Sequence, residues 1–157
     1  MALVALGLVG CASSLFDGRG FSRSDAINEL HLFVSPVALK SNPSGIADGL
    51  AVRVFASSHR QAKGVSIRSG TLEIMAYDGA PDEAARLSLP PTKVWAFPAT
   101  KLISFAVTSS LGTGYELALL WEGPRPSASR LTLVARYTPV VGSTILASPS
   151  IVPNALK

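Results

Sequence analysis

Tyr115-Glu116-Leu117-Ala118-Leu119-Leu120-Trp121 is the stretch whose reading decides the fold. Tyr115, Leu117, Leu119 and Trp121 recur at every second position. That period is the signature of a strand with one face buried. Gly112-Thr113-Gly114 precedes the run and Gly123-Pro124 follows it, and both are turn chemistry. Outward from this strand the same period repeats. Downstream, Leu131, Leu133, Ala135 and Tyr137 share one face, and a weaker extended run covers 144–147 before a tail holding Pro149 and Pro153. Upstream, Leu30, Leu32 and Val34 alternate until Pro36, which is expected to end the run. Leu50, Val52 and Val54 point inward with Arg53 outward; Leu72 and Ile74 point inward; Trp95 and Phe97 share a face.

The connections read as loops and short turns. Residues 41–45 and Asp78-Gly79 carry turn residues, and 57–69 is a polar stretch holding His59, Arg60 and Lys63. Residues 82–87 can form one helical turn before Pro90-Pro91 forbids more. Residues 98–106 suit a second, with Pro98 at its start and Leu102 and Phe105 three apart. No helix is long enough for a parallel crossover. The expectation is all-β: a single antiparallel β-sandwich of about seven strands over 27–157. The helical turn, Gly112-Thr113-Gly114-Tyr115 and the strand after it resemble the tyrosine corner of immunoglobulin-like domains. The resemblance implies an immunoglobulin-like sandwich whose Tyr115 hydroxyl is tied to backbone upstream. Transthyretin-like and C2-like sandwiches are the alternatives.

The N-terminus reads as an address. Residues 2–9 are apolar or Gly, too short to span a bilayer, which needs about 20 residues. They suit the apolar region of a signal peptide over 1–10. Leu8-Val9-Gly10-Cys11, followed by Ala12-Ser13-Ser14, resembles the lipobox of bacterial lipoproteins. The resemblance implies a diacylglycerol on the Cys11 thiol and cleavage just before it. Ala12, by the Gram-negative sorting pattern, implies the outer membrane, facing the periplasm. No Lys or Arg precedes the apolar run, and a start codon further upstream would supply that basic region. Residues 11–26, rich in Ser, Gly and Arg, read as a flexible tether.

Composition narrows the function. The 157 residues are 48% hydrophobic and 15% charged, with a net charge of +4. The basic residues are dispersed and lack interleaved aromatics, so nucleic acid is not an expected partner. The single cysteine excludes a disulfide framework and a cysteine zinc site. His31 and His59 lack ligand spacing, and no nucleophile elbow, Ser-x-x-Lys or phosphate loop occurs. A Ser-His-Asp hydrolase would need His59 within hydrogen-bond reach of a serine and a carboxylate. Asp78, Asp82 and Glu83 form the one acidic cluster; calcium at a loop tip is the chemistry it suggests, and plain turn chemistry is the reading adopted. The chain is expected to be no enzyme and to need no metal or cofactor.

One surface feature stands out. Phe33, Phe55, Met75 and Tyr77 fall on the outward faces of their strands, beside His31, Arg53 and Glu73. Large apolar residues facing outward mark a partner surface unless loops cover them. The expected function is therefore a non-enzymatic, lipid-anchored cell-envelope protein that binds another protein. A carbohydrate-binding module, with Trp95 or Tyr77 as a platform, is an alternative. Residues 42–55 resemble the early strands of the type VI secretion outer-membrane lipoprotein, a lipid-anchored β-sandwich that docks an inner-membrane partner. That resemblance implies an adaptor.

Overall fold

Alternating apolar residues become strands here because each strand can bury one face against a second sheet. The computed structural model describes residues 26–156. Cys11, the apolar segment before it and all of the tether up to residue 25 lie outside the described residues. The strands are β1 Glu29–Leu39, β2 Gly49–Ser58, β3 Gln61–Val65, β4 Thr71–Asp78, β5 Lys93–Pro98, β6 Ala106–Ser109, β7 Gly112–Leu120, β8 Arg130–Thr138, β9 Ile145–Leu146 and β10 Ser150–Pro153. Two short helices, α1 Glu83–Ser88 and α2 Ala99–Leu102, flank β5, and a 3-10 turn at Ile103–Phe105 follows α2.

The chain is an all-β sandwich of two sheets. In the first, β1 pairs with β2 and β2 with β7, which in turn pairs with β6; every one of these pairings is antiparallel. β3 pairs with the end of β2 and touches β7 in parallel where Gly64 meets Gly112. The second sheet runs β10-β8-β4-β5, and β9 takes the stretch of β8 that β10 leaves free. The inner faces interdigitate in one core. Leu30, Val52, Val54, Leu117 and Leu119 from the first sheet meet Leu72, Ile74, Leu131, Leu133 and Ala135 from the second. The inward sets read from the sequence are these residues, so strand register and facing follow the period-two pattern.

The two open sides are closed differently. On one, Trp95 packs edge-to-face on Trp121 at 5.5 Å and Phe97 on Phe105 at 5.9 Å, with Leu102 fully buried nearby. On the other, the Ser150 hydroxyl donates to the Leu32 carbonyl at 3.3 Å, joining β10 to the edge strand β1.

Several readings change. Gly112–Gly114, read as a turn, opens β7, and the tail contributes β10. β1 does not stop at Pro36 but runs to Leu39, with its register slipping between Val34 and Ala38. An edge strand tolerates a proline because one side of its backbone has no partner to bond. β3 forms inside the polar stretch 57–69, where Gln61, Ala62 and Lys63 are all exposed and no alternation betrays it. Tyr115 is tied to backbone upstream, as the corner resemblance implies, yet not in its own corner. Its hydroxyl accepts the Ile67 N–H at 2.6 Å, from the connection between β3 and β4, 48 residues earlier. The pinned segment leads from the first sheet to the second, so the bond ties β7 to that crossing connection instead of bracing one turn.

Candidate functional site

The outer face of the first sheet is built by the residues that alternate with its core set. Register places them in rows: His31, Phe55 and Gly114; Phe33, Arg53 and Glu116; then Ala51 beside Ala118; then Leu39, Gly49 and Leu120. The slip in β1 leaves residues 35–37 without register partners on β2, beside a trough over the small side chains of Ala51 and Ala118. The resulting groove has a volume of about 660 Å³. Phe33, Phe55, Leu39 and Leu111 supply apolar walls, and Arg53 and Glu116 form an ion pair within it. Both members of that pair are half exposed, so it contributes at most about 1 kcal/mol to stability and stays open to other charges.

The four residues expected to form a partner surface do not form one. Phe33 and Phe55 lie on the outer face of the first sheet, while Met75 and Tyr77 lie on the outer face of the second, on the opposite side of the sandwich. Only Phe33 is exposed, at 58%. Phe55 is buried because the strands beside it carry glycines. A Cβ on Gly64 would come within 2.9 Å of its ring and one on Gly114 within 2.7 Å, so the missing side chains make its seat. Met75 and Tyr77 are buried in a small second cluster with Val134. Leu111, at the β6–β7 turn and 62% exposed, belongs to the groove and carried no sequence signal beyond being apolar in a turn.

Polar residues near this face do not assemble a catalytic set. His31 Nε2 lies 3.3 Å from the Ser57 hydroxyl and 3.6 Å from Glu29 Oε2, and Ser57 donates to Glu29 at 3.4 Å. A hydrolytic relay needs the serine on one ring nitrogen and the carboxylate on the other. Here both approach the same nitrogen, so the three form a local polar triangle. His59 is exposed, and its backbone N–H donates to Asn28 Oδ1 at 3.1 Å. The residues singled out for calcium or sugar have structural partners. Asp78 accepts from the Ser127 N–H and hydroxyl and from the Ala128 N–H, and Asp82 caps α1 by accepting from Ala85. Trp95 and Trp121 are half-buried, and their indole N–H groups donate to the carbonyls of Leu120 and Pro124.

The chain matches no known protein family model, no curated protein and no solved structure.

Proposed function

We propose that this chain is a non-enzymatic, lipid-anchored protein of the bacterial cell envelope that binds another protein through the outer face of its first sheet. The observation that carries the binding reading is Phe33: a large ring more than half exposed at the rim of a groove of about 660 Å³. Exposing such a ring forgoes about 1.5–3 kcal/mol of burial, which a bound partner recovers. The anchor rests on Leu8-Val9-Gly10-Cys11, and Ala12 supports placement at the outer membrane facing the periplasm.

The strand order supports an immunoglobulin-like subtype over a transthyretin-like or C2-like one. β1-β2-β7-β6 against β10-β8-β4-β5 corresponds to the ABED and GFC sheets of that fold, with β5 as the added C′ strand. The adaptor reading uses the same surface: residues 42–55, which resemble the type VI secretion lipoprotein, contribute Arg53 and Phe55 to the groove. The carbohydrate reading draws no support from Trp95, Trp121 or Tyr77, none of which offers an open ring face backed by free polar groups.

Two measurements test the proposal. Metabolic labelling with a fatty-acid probe should mark the wild type and not Cys11→Ser; equal label in both overturns the anchor. Purification from detergent-solubilised membranes should retrieve a partner with the wild type and lose it with Phe33→Ser at an unchanged melting temperature. Retention of that partner by a folded Phe33→Ser variant removes this face from consideration.

A further inference from the structure

The face around the groove has one partner that its charges favour. Among the described residues its centre holds a single cation beside a single anion, Arg53 on β2 and Glu116 on β7, directly opposite each other in register. A purely acidic or purely basic partner would bring a like charge against one of the two. A surface carrying the same pair, turned around, brings opposite charges to both. We infer that the partner of this face is a second copy of this chain, packed face to face about a two-fold axis that runs between β2 and β7. This rests on the reading of that face as a binding surface and names its partner.

The geometry follows from the strand register. A two-fold axis between β2 and β7 lays β2 of one copy over β7 of the other. Arg53 then faces Glu116 across the interface, twice, and the four charges alternate in sign around the axis. The surrounding residues are apolar and exposed: Phe33, Val107, Leu111 and Leu120 become the flanks of the contact. The area is sufficient for a reversible dimer. β1, β2, β7 and β6 hold 11, 10, 9 and 4 residues. At about 3.3 Å per residue and about 4.8 Å between strands, the face covers roughly 540 Å² per copy. The total of about 1,100 Å² clears the roughly 1,000 Å² that a specific contact needs and exceeds ordinary packing contacts. A chain confined to a membrane surface needs no more, because tethering raises the effective concentration of its neighbours.

Sedimentation equilibrium of the full chain in mild detergent, across roughly a hundredfold range of concentration, reads this directly. The wild type should move from monomer to dimer. Arg53→Glu and Glu116→Arg should each weaken dimerisation at least about tenfold, because each places two like-charged contacts at the axis. An equimolar mixture of the two variants should restore dimerisation, because in the mixed dimer each introduced charge meets an opposite one. Both sites are half exposed, and melting curves establish that the variants fold. A wild type that stays monomeric, a dimer indifferent to either substitution, or a mixture that is not restored overturns the inference. A monomeric chain that still retrieves a membrane partner through Phe33 overturns the second copy and leaves the binding face standing. Loss of both overturns both.

Discussion

The ring of Phe33 stands edge-on to the ring of Phe55, with centroids 6.0 Å apart and planes at 83°, yet one ring is 58% exposed and the other 7%. The two sit diagonally across the β1–β2 pairing on one sheet face, so alternation alone assigns them the same environment. The neighbours of Phe55 make the difference: Gly64 and Gly114 leave the hollow it fills, and Phe33 covers its edge.

The two rings should therefore respond oppositely to truncation. Phe55→Ala should cost about 3–5 kcal/mol, as a buried aromatic does. Phe33→Ser should stay within about 1 kcal/mol of wild type, as exposed positions do. Urea unfolding of the two single variants checks this, and equal losses at both sites would show that Phe33 is part of the core. A double substitution at 33 and 55 should unfold readily, so it is unfit as a binding control.

Gly114→Ala tests the seat itself. The added Cβ meets three atoms of the Phe55 ring at 2.7–3.0 Å, and Gly64 already lies close against the same Cδ1 atom of the ring. Overpacking of this kind costs about 1–3 kcal/mol. Combining it with Phe55→Leu, which shortens the ring side chain, should recover part of the loss in the unfolding midpoint. Strictly additive losses would place the strain elsewhere.

The core itself was legible because a single period governs it. Leu117, Leu119 and Leu133 could be assigned inward from alternation, and they are nearly or fully buried. Leu119→Ala should accordingly cost about 2–5 kcal/mol, measured by the shift in urea midpoint at constant slope. Less could be read where the deciding group belongs to another strand. β3 carries no apolar stripe because both of its faces are exposed over Gln61–Lys63, and the burial of Phe55 depends on glycines 9 and 59 residues away. The groove depends on a slip in β1 at Pro36, which reads from sequence as a strand end.

Asp78 links the end of β4 to the loop before β8. Burial pushes its carboxyl up, but the N–H groups of Ala128 and Ser127 and the Ser127 hydroxyl outweigh that, and it is held below its ordinary 3.8. A group whose folded value is lowered contributes stability above its unfolded value and loses it as pH falls through the folded one. Asp78→Asn should therefore be less stable than wild type at neutral pH, and the gap should close in acid below 3.8. Urea midpoints followed from pH 7 downward measure the gap; one that stays constant would assign the loss to packing alone.

Tyr115 makes the opposite prediction at the alkaline end. Its ring is 2% exposed and its hydroxyl accepts the Ile67 N–H. Burial raises its pKa above the ordinary 10.0, opposed in part by that hydrogen bond. Raised in the folded state, the group leaves stability intact below its unfolded value and erodes it as pH rises past 10.0, where the unfolded chain ionises first. At neutral pH, Tyr115→Phe strands the Ile67 N–H in a buried site and should cost about 1–3 kcal/mol. Above pH 10.0 the wild type should lose stability that the phenylalanine variant cannot lose, so the two should converge. Unfolding midpoints of both proteins between pH 7 and the alkaline limit of refolding decide the matter. Parallel curves would mean that Tyr115 does not feel its burial, and an unchanged midpoint at neutral pH would mean that its bond to Ile67 does not secure the connection between β3 and β4.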